Sequence, residues 1–310
     1  MLRISNSSEF PADFAESVVT IGKFDGVHLG HQALLAETVE LSEQHGLSAV
    51  VVTFDRSPVE ILNPEKAHQP LTGATQKLDL FEQAGIDATL TLEFNEQLAA
   101  LNPEEFVKQV LTDGLKAKAV IVGEDFRFGH NGSGDTDLLK VLGLESGFRV
   151  HVVPAVKVEG VRVSSTLIRE TLNLGNVELA AQYLGRLHTT RGLVEHGLKI
   201  GRQLGFPTAN ISRSAEGYLP LDGVYAGWLH AGDVRYPAAL SIGINDTIQA
   251  VPRLLEAHVL DRKDLDLYDQ VVTIEYVAFV RHTAKFNGMD ELIAAIKADC
   301  NKIRDILAQA

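Results

Sequence analysis

Between Ser17 and about Pro154 the chain alternates near-continuous apolar runs of strand length with stretches of helical period, and no other feature limits the fold as much. The runs AVVVTF and AVIVG are apolar on both faces of a strand, and LGHQALLAETVELSEQHG, KLDLFEQAG, PEEFVKQVLTDGL and TDLLKVLGLESG fall between the strands. A strand apolar on both faces needs a covering layer on each, and the crossover helices of a parallel sheet supply both layers. This part therefore reads as an α/β domain. Two further helical stretches follow, SSTLIRETLNLG and NVELAAQYLGR, with Gly175 as a stop and Asn176 as an N-cap.

After Arg186 the texture changes to short β-like runs broken by Gly, Pro and Asp, among them GVYAGWLHAG, RYPAALSIG and QVVTIEYVAFVR. Regular short strands without helices between them indicate a small barrel or sandwich. The end, MDELIAAIKADCNKIRDILAQA, returns to a helical period with a stripe of Leu292, Ile293, Ile296, Ile303 and Ile306. The expected domains are residues 1–186 and 187–310.

With 310 residues, 45% of them hydrophobic, the chain can bury two cores. Its 28 basic and 41 acidic side chains leave a net charge of -13, which argues against broad attraction to nucleic acid or anionic membrane. A local pocket can still oppose that field and take an anionic small molecule. The single cysteine, Cys300, excludes an internal disulfide framework and a multi-thiolate metal site. No leader-like segment opens the sequence and no apolar run reaches membrane-span length, so a cytoplasmic protein is expected.

TIGKFDGVHLGHQ, residues 20–32, runs from the first of these strands into the first helix. Ligands of open parallel sheets collect at the strands' carboxyl ends, where a helix N-terminus offers free N–H groups suited to phosphate. His28 and His31, at i and i+3, lie on one face of the first turn, where both reach the same phosphate oxygens; Gly22, Gly26 and Gly30 let backbone approach a ligand. The alternative is that the imidazoles cap the helix or satisfy buried carbonyls. No third Cys or His nearby completes a zinc set, and the stretch lacks the ending of a P-loop.

GKFDGVHLGHQ resembles the signature of the HxGH nucleotidyltransferases, in the form used by the prokaryotic bifunctional riboflavin kinase/FMN adenylyltransferase (FAD synthetase) family. LTGATQKLDLFEQAGID (71–87), VGEDFRFGHNGSGD (122–135) and GVRVSSTLIRE (160–170) agree with that family in order. The resemblance implies that Gly22, Phe24, Asp25, Gly26 and Gly30, with Arg162, Ser164, Ser165, Thr166 and Arg169, bind ATP and its phosphates. It implies too that His28 and His31 are catalytic and that Asp125 and Phe126 line the flavin side. Read alone, SSTLIRE is an N-cap and its helix, and the aromatic residues of GEDFRFG are core.

In GRQLGFPTANI, residues 201–211, Thr208 and Asn210 stand two apart after Pro207 and so point to the same side of an extended segment. A hydroxyl and an amide oxygen aimed together suit magnesium bridging ATP phosphates; PTAN alone also reads as a turn. GRQLGFPTANI resembles the riboflavin kinase signature of the same family, and GVYAGW, SIGIN and LEAHVLD follow in family order. The resemblance implies that Gly201, Pro207, Thr208 and Asn210 handle nucleotide and Mg2+, and that Glu256 is the base toward the ribityl hydroxyl.

The resemblance runs from about Val18 to Leu307 and implies a Rossmann-like nucleotidyltransferase domain followed by a β-barrel kinase domain with a terminal helix. It implies riboflavin, FMN and ATP as substrates, Mg2+ as cofactor, and no nucleic-acid or membrane partner; the residues assign no oligomeric state. The chain departs from the family at Arg56-Ser57, where a Pro-His-Pro turn is usual, and at Asn245-Asp246-Thr247, where Asn-Pro-Thr is usual. These departures concern activity levels. They leave open a paralogue with one active module or a flavin-binding regulator.

Overall fold

A computed structural model describes residues 1–5, 9–11, 14–56, 68–197, 201, 204–243 and 253–310. Six parallel strands form the first sheet: β1 (Leu2–Ile4), β2 (Ser17–Ile21), β3 (Ser48–Phe54), β4 (Ala88–Leu92), β5 (Ala117–Gly123) and β6 (Arg149–Val153). Their order is β1-β4-β3-β2-β5-β6. Alternate side chains feed two cores. Val18, Val51 and Ile121 pack with Leu34 and Leu35 of α1 (Leu29–His45) and Phe81 of α2 (Ala74–Gln83). Val19, Val52 and Val120 face the other way, against Phe106, Leu111 and Leu139. The double-sided apolar runs thus have the two layers that they require.

The second sheet is a closed antiparallel barrel, so of the two β architectures open at the level of residues the barrel is the one adopted. Its order is β10-β13-β12-β11-β14-β9, from β9 (His188–Glu195), β10 (Ala209–Ile211), β11 (Gly223–Ala231), β12 (Val234–Gly243), β13 (Leu254–Val259) and β14 (Val271–His282). The short strands β7 (Lys157–Val158) and β8 (Val161–Arg162) form a separate hairpin. The terminal helix, Met289–Leu307, lays Cys300, Ile303 and Leu307 against Ala226 and Val280 on the outside of the barrel. Arg281 holds that helix with hydrogen bonds of 2.7–3.1 Å to Asp299.

Packing divides the chain between Val163 and Ser164, and the segment Pro70–Gly73 also belongs to the second unit. The texture of the sequence changes later, at Leu187. The difference comes from helices Ser165–Asn173 and Val177–Leu184, the second of which lies against β14 and β9. Gly175 between them has φ of 76° and the Asn176 side chain accepts from the Leu179 N–H, as expected of a stop and a cap.

His188, fully buried in the second unit, donates from Nε2 to the Tyr218 carbonyl at 2.6 Å. Burial, with a smaller contribution from nearby Arg186, lowers its pKa to about 4. The unfolded chain binds a proton near pH 6.5 that the folded chain refuses until about pH 4, so stability falls as pH drops through that window. Unfolding followed by fluorescence of Trp228, the chain's single tryptophan, should lose midpoint steadily from pH 6.5 to 4. His188→Gln, which keeps a donor for Tyr218, should flatten that slope; an unchanged slope would assign the acid sensitivity elsewhere.

Candidate active sites

The order of the parallel sheet reverses at β2: the chain moves from β2 to β3 on one side and later places β5 on the other. The crevice outside the carboxyl ends of such neighbours is where open α/β sheets bind ligands. The loop after β2 bends sharply there. Phe24, Gly26 and Val27 have φ of 52°, 84° and 40°, a region glycine enters freely and the other two do not. Burial holds the bend: the Phe24 ring is sealed, edge-on to Phe81 and tilted against His31, each at 5.2 Å. A Cβ at Gly22 would stand 3.3 Å from that ring, and one at Gly30 would stand 3.1 Å from the ring of His28.

His28 is the N-cap of α1, and its Nδ1 accepts from the His31 N–H at 3.4 Å. Accepting there leaves the proton of a neutral imidazole on Nε2, so one ring both caps the helix and keeps a donor. The ring of His31 stacks on it at 3.7 Å, 17° from parallel, which is the shared face that the spacing implies. Asp25 stands half-buried in the same loop.

On the other side of the reversal, Gly123 ends β5 and leads into Asp125 and Phe126. Asp125 accepts from Arg162 at 2.5 Å in an exposed ion pair, so two residues assigned to different ends of a ligand meet each other in this structure. Phe126 stacks on Phe128 at 5.6 Å, and Phe128 is core while Phe126 is only half-buried. Arg56 binds its neighbour Asp55 at 3.1 Å. Burial works to raise the Asp55 carboxyl, but the Phe94 N–H and Arg56 outweigh it and hold it below the usual carboxylate range. Ser57 and the stretch Asn245-Asp246-Thr247 lie outside the described residues.

Ser164, Ser165, Thr166 and Arg169 belong to the second unit. Ser164 is an N-cap, accepting from the Leu167 N–H at 3.2 Å; Ser165 and Thr166 open the helix, and Arg169 donates back to the Ser165 carbonyl at 3.4 Å.

On the barrel, Ala209 and Ile211 point inward and Asn210 outward, opposite Glu256 of β13 and Glu195 of β9. Thr208, two residues earlier, donates to Glu256 Oε1 at 3.4 Å. Thr208, Asn210 and Glu256 therefore share one outer face. Burial raises the Glu256 carboxyl, with the Thr208 hydroxyl pulling the other way. Beside them is a cavity lined by Val194, Val259, Leu267 and Tyr268 and by the cations Arg262 and Lys263. Arg262 is itself paired with Asp264 through two hydrogen bonds of 2.8 Å.

Two residues outside the sequence-derived set shape this face. His258, on the same side of β13 as Glu256, hydrogen-bonds the Pro207 carbonyl through Nδ1 at 2.8 Å and fixes the PTAN segment. Its signal was its spacing of two from Glu256. Gly197 lies against the Asn210 amide, which a Cβ there would displace; at Gly201 a Cβ would meet the Phe206 carbonyl. Among the described residues no three His, Cys, Asp or Glu side chains gather to hold a metal ion, and no helix is long and apolar enough to cross a membrane.

The FAD synthetase family matches residues 10–167 and the riboflavin kinase family residues 184–307. The bifunctional riboflavin kinase/FMN adenylyltransferase of Pseudomonas fluorescens is 38% identical over 292 residues, covering 94% of this chain and 93% of that protein. Its counterpart in Escherichia coli (strain K12) is 36% identical over 297 residues, covering 96% and 94%. A solved structure from Streptococcus pneumoniae, described as a macrolide-efflux protein, superposes with a TM-score of 0.87 at 31% identity over 98% of both chains. Its description belongs to that protein, whereas the family matches, the full-length relatives and the two folds agree with one another. The chain belongs to the bifunctional riboflavin kinase/FMN adenylyltransferase family, with FAD synthetase and riboflavin kinase parts in that order.

Proposed function

We propose that both activities reside in this chain and that the two outlined faces perform them. The observation that carries the kinase reading is the convergence of Thr208, Asn210 and Glu256 on one face beside a cation-bearing cavity. In this reading the ribityl 5′-hydroxyl of riboflavin attacks the γ-phosphorus of ATP, Glu256 takes the hydroxyl proton, and ADP leaves. A carboxyl that burial has made more basic than usual is suited to that acceptance. Thr208 and Asn210 offer a hydroxyl and an amide oxygen, hard donors of the kind that would hold Mg2+ together with ATP. Bound there, Mg2+ neutralises the phosphates between which the bond breaks.

For the second step a phosphate oxygen of FMN attacks the α-phosphorus of ATP and pyrophosphate leaves. The nucleophile is already ionised, so the protein's task is to hold two anions together and stabilise charge as it shifts. The Nε2 proton of His28, the stacked His31 and the backbone N–H groups of Leu29 and Gly30 in the first turn of α1 support that role. Ser165, Thr166 and Arg169 open a helix of the second unit, and the family resemblance alone supports a phosphate-binding role for them. The single cysteine and the ATP dependence fit a cytoplasmic enzyme.

Chromatography that resolves riboflavin, FMN and FAD tests the proposal. Riboflavin with ATP should give FMN and then FAD, FMN with ATP should give FAD, and chelation of Mg2+ should stop both. FMN without FAD, or FAD only from supplied FMN, would indicate a chain with one active module. Flavin binding with neither product would indicate a regulator.

A further inference from the structure

Helix α2 contributes nothing to the sequence-derived site, yet two of its side chains one turn apart hold the bent loop that carries His28 and His31. Phe81 packs edge-on against Phe24. Lys77 donates from Nζ to Thr53 Oγ1 at 3.1 Å, to the Phe54 carbonyl at 3.2 Å and to the Lys23 carbonyl at 3.4 Å. An ammonium has three protons, and here three oxygens meet it. The acceptors come from the exits of adjacent strands: Thr53 and Phe54 end β3, and Lys23 lies just beyond β2. Thr53 Oγ1 in turn donates to the Lys23 carbonyl at 3.3 Å.

Withdrawing an ammonium from water costs free energy that these bonds only partly offset. Burial lowers the pKa of Lys77, while the charges of Asp25 and Asp55 favour its cationic form. The cost falls at one spot: the Lys23 carbonyl immediately precedes Phe24, the first residue of the loop with a positive φ. Unfavourable backbone of this kind persists only where its surroundings hold it.

We propose that Lys77 is a positioning residue for adenylyl transfer. Its ammonium ties the Lys23 carbonyl to the end of β3 and, with the Phe81–Phe24 contact, keeps the bend from Phe24 to Val27 that sets both imidazoles. The inference rests on the reading of His28 and His31 as donors in that transfer.

The test uses the full chain with saturating FMN and ATP, riboflavin phosphorylation as an internal control, and thermal unfolding as a check on folding. Lys77→Met should lower kcat for FAD formation by about 10- to 100-fold, as misplacement near an ångström does. The KM values for FMN and ATP, FMN production from riboflavin, and the folded fraction should stay at wild-type levels. Wild-type kcat in Lys77→Met, or a loss that merely follows its unfolded fraction, would overturn the proposal. If the methionine variant does not fold, Lys77→Arg decides: lowered kcat at unchanged KM supports the clamp, and wild-type kcat refutes it. His28→Ala is measured alongside. Should His28→Ala retain full activity, the loop reading fails and the clamp with it; should it be inactive while folded Lys77→Met is fully active, the clamp alone fails.

Discussion

Replacing His28 or His31 with alanine is expected to lower FAD formation from FMN and ATP by about 10²–10³-fold, the usual effect of removing a donor aimed at developing charge. Phosphorylation of riboflavin by the same molecules should continue at the wild-type rate, because the face bearing Thr208, Asn210 and Glu256 belongs to the barrel. His28 also caps α1, so loss in His28→Ala has two physical routes. His28→Asn separates them: asparagine is a good N-cap but puts nothing where Nε2 stands. Low activity in a stably folded His28→Asn assigns the loss to the missing donor. Equal damage to both activities in the alanine variants would contradict the assignment of one reaction to each face.

Glu256→Gln should reduce FMN formation from riboflavin by about 10²–10⁴-fold, the range for removal of a general base. FAD formation from supplied FMN is the control and should stay at the wild-type rate. The same variant carries a stability signature. Burial raises the folded-state pKa of Glu256 above its unfolded value, so the wild-type fold is favoured while the carboxyl is protonated. That advantage disappears as pH rises through the folded value and an ionised carboxylate must stay half-buried. Glu256→Gln should therefore unfold at a higher temperature than wild type at neutral pH, with the gap closing toward pH 4. A gap that is constant with pH would mean that desolvation of this carboxylate is not what glutamine relieves.

Much of this architecture is legible in local pattern. The apolar runs of β2, β3 and β5 require two covering layers, and both are present. The i, i+3 spacing of His28 and His31 puts the rings on one face of a helical turn, where they stack, and the i, i+2 spacing of Thr208 and Asn210 puts both outside the barrel. Periods of this kind are set by backbone geometry and need no distant partner. Other features gave no local sign. The positive φ of Phe24 and Val27 is hidden because neither residue type favours it, and it persists through burial against a helix from elsewhere in the chain. Lys77 reads as an ordinary polar position of an amphipathic helix until β2 and β3 are laid side by side.

From its residues alone the chain determines an α/β part followed by a β part, the strand-to-helix loop with its paired imidazoles, and the extended PTAN segment, since strand and helix periods and the conformational limits of glycine and proline act over a few residues. Tertiary structure decided that the helices at 165–184 side with the barrel, that Thr208 meets Glu256, and that Lys77 reaches Lys23. Each of these pairs an apolar face or a polar group with a partner far away in sequence. Such partners are selected by which surfaces remain uncovered once the sheet and barrel have formed, and no local period encodes that choice.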